Sequence, residues 1–215
     1  MASVAPPPPN PREQLLRLLA TQSFRLGEFK LASGGTSDYY IDCRTTTLHA
    51  DGARLVGRLV YDLIQKERWK AQGIGGMTMG ADPIVTAVSL LSAQSIVTRA
   101  PARTKPLDSP DDYMIHGFLV RKAEKAHGTA QKIEGVCKDS ARVVIVDDVC
   151  TTGGSTIQAI EAAKAAGMNV VGVVCIVERE EANGRPAVEA AAAPAKFVSL
   201  FKASEVRAMH EAIKK

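Results

Sequence analysis

The stretch Val143-Val144-Ile145-Val146-Asp147-Asp148-Val149-Cys150-Thr151-Thr152-Gly153-Gly154-Ser155-Thr156 decides how this chain folds. Four successive aliphatic residues suit a short strand buried on both faces, since a sheet covered on either side needs no polar alternation. Two carboxylates follow, then a turn rich in hydroxyls and glycine. Beyond it, Ile157, Ala159, Ile160, Ala162 and Ala163 recur at helical spacing. The first amides of a helix lack internal partners and the dipole is positive there, so the turn suits a phosphate. Gly153 and Gly154 let backbone approach such a group closely, and Thr151, Thr152, Ser155 and Thr156 offer hydroxyl donors. Asp147 and Asp148 would repel a phosphate. They suit the neutral hydroxyls of a ribose or a hydrated Mg²⁺, either of which takes carboxylate partners. The pattern predicts a sugar-phosphate site at the carboxyl end of a buried strand.

Working outward, strands alternate with helices, which specifies an α/β fold with a mainly parallel, doubly wound sheet. Asn10-Pro11 caps a first helix ending near Ser23. Short strands are expected at 29–31 and 38–42, and an amphipathic helix over 48–66 carries Leu55, Val56, Leu59, Val60, Leu63 and Ile64 on one stripe. A strand end at 73–76 leads to a helix over 82–92. Further strands are expected at 95–99, 117–121, 143–146 and 170–177, with a helix over 155–166 closed by Gly167. An edge strand at 197–201 and a helix over 204–215 complete the chain. Two rival phosphate motifs fail. No G-x-x-x-x-G-K-[ST] loop occurs, and Gly73-Ile74-Gly75-Gly76-Met77-Thr78 has Thr78 where a dinucleotide fingerprint needs its third glycine.

A length of 215 residues suits one domain, expected over residues 11–215 behind a disordered Pro-rich tail at 1–10. With 27 Lys+Arg against 23 Asp+Glu, the net charge of +4 is too mild and dispersed for a nucleic-acid protein. No apolar run reaches the ~18 residues of a membrane span, so no membrane partner is expected. Cys43, Cys137, Cys150 and Cys175 lack metal or disulfide spacing, which points to reduced thiols and a cytoplasmic location.

The string from Val143 to Thr156 resembles the phosphoribosyl pyrophosphate (PRPP) signature of type I phosphoribosyltransferases. The resemblance implies that Asp147 and Asp148 hold the ribose hydroxyls while Val149, Cys150, Thr151, Thr152, Gly153, Gly154 and Ser155 wrap the 5′-phosphate. A second stretch, Arg121-Lys122-Ala123-Glu124-Lys125-Ala126-His127-Gly128-Thr129-Ala130-Gln131-Lys132, reads by itself as a solvated charged surface. Its R-K-x-x-K-x-H-G spacing resembles the catalytic loop of orotate phosphoribosyltransferases. That likeness implies pyrophosphate contacts from Arg121, Lys122, Lys125 and His127, with Lys122 contributed across a homodimer interface.

Upstream, the segment from Phe29 to Arg44 is similar to the same family's N-terminal hood, a small element expected from about residues 11–45 and the C-terminal segment. Without that likeness, Tyr39 and Tyr40 read as half-buried strand residues. With it, they and Lys30, Thr151 and Arg179 form an orotate-binding set. Arginine suits a planar carboxylate because it pairs with two oxygens at once. Lys122, Lys125, His127, Asp147 and Asp148 are the implied catalytic residues. Mg²⁺ is the implied cofactor, with no direct protein ligand and Asp147 and Asp148 acting through water. The chain departs from many family members at Met79, where a lysine commonly precedes the glycine. A purine enzyme would lack the hood and Arg179, and a PRPP-sensing regulator would carry an added nucleic-acid module.

Overall fold

The computed structural model describes residues 10–30, 35–99, 114–122, 132–136 and 138–214. The Pro-rich tail, apart from Asn10, lies outside them. The main sheet has six strands in the order β5-β4-β3-β6-β7-β8. Strands β3 (Gly73–Met77), β4 (His116–Val120), β6 (Arg142–Cys150), β7 (Asn169–Glu178) and β8 (Lys196–Lys202) are parallel. The short β5 (Ile133–Gly135) closes one edge antiparallel.

Alternation along β6 builds two cores. Val144 and Val146 join one apolar cluster with α3 (Ala50–Lys66) and α4 (Asp82–Arg99), through residues such as Leu55, Ile64, Ile84 and Val88. Val143 and Ile145 join the other with α5 (Gly154–Ala165) and α6 (Arg185–Ala192), through Ile160, Ala163 and Val188. All four aliphatic side chains are 1% exposed or less, as a strand covered on both faces requires. After β3 the chain passes to β4 on one side, whereas β6 lies on the other. The order therefore reverses between β3 and β6, and the crevice beyond their carboxyl ends is where open sheets take ligands.

The hood is a separate two-stranded sheet. Helix α1 (Pro11–Leu18) starts where the Asn10 side chain accepts from the Arg12 amide at 3.0 Å, and a π-helical turn over Leu19–Ser23 feeds β1 (Phe24–Lys30), paired antiparallel with β2 (Thr36–Ile41). The C-terminal helix α7 (Ala203–Ile213) packs against it, with His210 Nδ1 donating to the Ala20 carbonyl at 2.6 Å and Arg207 pairing with Asp38 at 2.7 Å.

One expectation is corrected. Residues 95–99 form the last turns of α4 and not a strand, with Thr98 Oγ1 bonded to the Gln94 carbonyl at 2.8 Å. The β-branched run suggested a strand, but β3 already has β4 and β6 as neighbours, so a strand following α4 directly has no open position beside it. The helix expected over 48–66 forms as α3, starting two residues later where His49 caps it by accepting from Gly52 N, and a separate single turn, α2 (Arg44–Thr47), precedes it. Finally, β5 and α6 carried too little periodic signal to be expected at all. No helix among the described residues is long and apolar enough to cross a membrane.

Candidate active site

Because β6 continues through Cys150, Asp147 and Asp148 are successive strand residues and point to opposite faces. Asp147 follows Val143 and Ile145 onto the α5 side. There its carboxylate accepts from Thr156 Oγ1 at 2.6 Å and from the Asp148 amide at 3.0 Å. It is 7% exposed. Burial pushes its carboxyl up to about 7, against the opposing pull of the Thr156 hydrogen bond. Asp148 follows Val144 and Val146 onto the hood side, accepts from the Val149 amide at 2.9 Å, and is likewise shifted upward by burial.

The loop after β3 approaches Asp148 so closely that a Cβ on Gly80 would stand 2.4 Å from Asp148 Oδ1. Only glycine fits there without moving the carboxylate. A cleft of about 430 Å³ joins these parts, lined by Thr78, Met79 and Gly80 on one side, Tyr40, Asp42 and Arg44 from the hood, and Lys122, both aspartates and Ser155. Asp42 and Arg44 pair bidentately at 2.8 and 2.8 Å, and that hydrogen bonding holds the Asp42 carboxyl below its ordinary value. A larger groove of about 980 Å³ adjoins on the outer face of α3 and α4 and shares Arg44 and Met79 with the cleft. It holds neither carboxylate of the pair, both of which line the smaller cleft.

At the opposite end of β6 from the sheet's entry, Gly153 precedes α5 with φ +81°, and a Cβ there would meet Val188 Cγ2 at 2.4 Å. Gly153 thus serves backbone geometry and packing. Gly154, Thr152 and Ser155 are exposed at the helix start. Beside this turn, the Arg179 amide donates to the Cys150 carbonyl at 2.9 Å. The Arg179 side chain is 11% exposed and reaches back to the hood. Its Nε lies 3.1 Å from the Tyr39 hydroxyl and 3.0 Å from Glu181 Oε1, its Nη2 lies 3.0 Å from Ser37 Oγ, and its guanidinium stacks over the Tyr39 ring at 4.5 Å. Tyr39 also donates to Glu181 and stacks on Phe24 at 5.2 Å. Burial, then the bond to Glu181, raises its phenol to about 12.

The phosphoribosyl transferase domain family matches residues 118–193. The orotate phosphoribosyltransferase of Rhodopirellula baltica is 41% identical over 169 residues, which cover 77% of this chain and 79% of that protein. The chain belongs to the orotate phosphoribosyltransferase family. A crystal structure of the Mycobacterium tuberculosis orotate phosphoribosyltransferase in complex with Fe(III) dicitrate superposes with a TM-score of 0.70 at 33% identity, over 92% of this chain and 99% of that one. The same bacterium's orotate phosphoribosyltransferase in complex with PRPP gives 0.67 at 30% identity, over 92% and 99% of the two chains.

The expected site residues of this orotate phosphoribosyltransferase family member do not all meet in one place. The structure brings together Asp147, Asp148, Val149, Ser155, Lys122 and Tyr40 around the cleft, with Thr151, Thr152, Gly153 and Gly154 forming the adjoining turn. Tyr39 and Arg179 meet beneath the hood, on the face of β2 away from Tyr40, because adjacent strand residues diverge. Lys30 stands exposed at the end of β1 and does not line the cleft. Arg121 turns to Glu134 at 3.2 Å, while the Cys150 thiol is buried in the core and only its backbone borders the turn. Lys125 and His127 lie outside the described residues. Thr156, expected among the free hydroxyls, is buried and committed to Asp147. Sequence reasoning assigned no part to Asp42, Arg44, Thr78 or Glu181. Only the position of Asp42 and Arg44 at the end of the hood segment hinted at them.

Proposed function

We propose that this chain transfers the ribose 5-phosphate group of PRPP to orotate, giving orotidine 5′-monophosphate and pyrophosphate, in the pyrimidine route to UMP. The observation that carries the reading is the placement of Asp147 and Asp148 at the sheet's switch point, directly before the open N-terminal turn of α5. The acids would take the ribose hydroxyls in the middle of the cleft. The turn from Val149 to Ser155 would take the 5′-phosphate through backbone amides and hydroxyls. Displacing pyrophosphate from the ribose C1 develops positive charge on the sugar, so carboxylates near the ribose stabilise that state. Lys122 lines the cleft with both acids and, with Arg121, Lys125 and His127, is read as neutralising the departing pyrophosphate. Arg179 is read as the carboxylate partner for orotate, with Lys30, Tyr39, Tyr40 and Thr151 completing the base site. Among the described residues the Arg179 Nη1 has no partner.

The residues fit Mg²⁺. Two carboxylates whose ionisation burial disfavours gain from a cation. Among the described residues no group of three His, Cys, Asp or Glu side chains is placed to hold a metal. Asp147 and Asp148 would hold it through water, and when bound it would neutralise pyrophosphate charge.

The same reading makes the protein a single domain behind the tail, cytoplasmic, and a homodimer with shared sites. The groove along α3 and α4 supports the last point. It presents exposed Leu48, Met79 and Leu90, and because it shares Arg44 and Met79 with the cleft, a second copy seated there lies at the cleft's rim. Loss of orotate absorbance with PRPP and Mg²⁺, with hypoxanthine, adenine and uracil as competing bases, tests the reaction. Equal or faster use of a purine would overturn it.

A further inference from the structure

The cleft is acidic on balance where its ligand is most anionic. Among the described residues lining it, Asp42, Asp147 and Asp148 stand against Arg44 and Lys122 alone. Ser155 lines it at the α5 turn, and Met79, Gly80 and Arg44 line it as well, with Gly80 closing on Asp148. A ligand with ribose at the acids and its 5′-phosphate at the turn has its second anionic group left to the remaining lining, Arg44 included. A pyrophosphate cannot settle beside three carboxylates without cations to meet it.

Arg44 is built for the purpose. It opens α2 directly after the hood strand, its amide donates to Asp42 Oδ1 at 3.1 Å, and its Nε and Nη2 are fixed on the two Asp42 oxygens. That leaves Nη1 without a partner among the described residues, on a guanidinium whose orientation is already set. Its neighbour Met79 brings no charge. We propose that Arg44 is a pyrophosphate-binding residue of this site, supplying from the hood the fixed cation that the loop after β3 lacks. This rests on the phosphoribosyl-transfer reading above. A guanidinium held on one edge presents the other to a phosphate oxygen with little further loss of freedom.

The test is calorimetric titration of inorganic pyrophosphate with Mg²⁺ into wild type, Arg44→Ala, Arg44→Lys and the double variant Arg44→Ala/Met79→Lys, alongside steady-state kinetics and solution mass. Arg44→Ala is expected to weaken pyrophosphate binding and raise the KM for PRPP by about ten-fold or more, the effect of losing one charge-assisted contact, with the KM for orotate within two-fold. Arg44→Lys should retain part of the affinity. The double variant should regain part of it, because residue 79 lines the same cleft. Unchanged pyrophosphate affinity in Arg44→Ala, an equal loss for orotate, or a loss that tracks a change in solution mass would each overturn the assignment while wild-type turnover leaves the proposed reaction standing. A wild type that releases no pyrophosphate from PRPP in the presence of orotate would overturn that reaction and this assignment with it.

Discussion

Replacing Asp147 by Asn is expected to stabilise the ligand-free protein near neutrality while destroying its activity. Asp147 is buried at the end of β6, and its carboxyl titrates near 7 in the folded chain, against roughly 4 for an exposed aspartate. A folded value above the unfolded one favours the neutral acid. Its contribution to stability is therefore complete below about pH 4 and is lost as the pH rises through about 7. Over that window the folded state binds about one more proton than the unfolded, so stability falls by ~1.4 kcal/mol per pH unit. Between pH 5 and pH 8 the wild type should lose at most about 3 kcal/mol that the Asn variant keeps. Asp148 is pushed the same way and its charge helps raise Asp147, so the difference between the two proteins reads Asp147 together with the relief of that repulsion. Asn has nearly the same shape and can still accept from Thr156 or the Asp148 amide. Urea unfolding of both proteins at pH 5, 6, 7 and 8 measures the effect. A stability difference that stays flat over this range, or a variant less stable than wild type at pH 8, would refute the argument that burial dominates at this carboxylate. Turnover by the variant close to that of wild type would refute the ribose and Mg²⁺ role.

Gly80→Ala should lower kcat/KM for PRPP at least about ten-fold with an unchanged circular dichroism spectrum, since the new Cβ would stand 2.4 Å from Asp148 Oδ1 and must displace that carboxylate. Arg179→Ala should cost orotate use on the order of 2 kcal/mol in transition-state binding and leave PRPP affinity little changed. An equal loss for PRPP would mark Arg179 as the hood's anchor through Ser37 and Tyr39. Gly153→Ala should destabilise the fold by about 1–3 kcal/mol in chemical denaturation, because both its φ of +81° and its contact with Val188 exclude a side chain. Mixing inactive Lys122→Ala and Asp148→Asn proteins under subunit exchange should restore up to about half of the activity per heterodimer. Absence of recovery despite demonstrated exchange would mean that Lys122 serves the cleft it lines in its own chain.

What the sequence determined by itself was local and periodic. Four aliphatic residues, two acids and a glycine-rich turn before a helical repeat specify a buried strand ending in a polar site, because each of those preferences acts within a few residues of chain. The alternation of such units likewise implied the parallel sheet and its crevice, and the spacing of the basic and hood segments carried the family. What only the tertiary structure decided depends on neighbours distant in sequence. Whether 95–99 extends a helix or adds a strand turned on the places beside β3 being filled by β4 and β6. Alternation required that Asp147 and Asp148 part, and equally Tyr39 and Tyr40, but not to which side. The packing of α5 gave Asp147 to Thr156, the pairing of β3 with β6 brought the Gly80 loop against Asp148, and the folding of the hood over the sheet placed Arg44 in the cleft. The same closure set Tyr39 beneath Arg179 and left Tyr40 facing the site. A strand's own pattern names two faces, and only the elements packed on them determine which one meets the ligand.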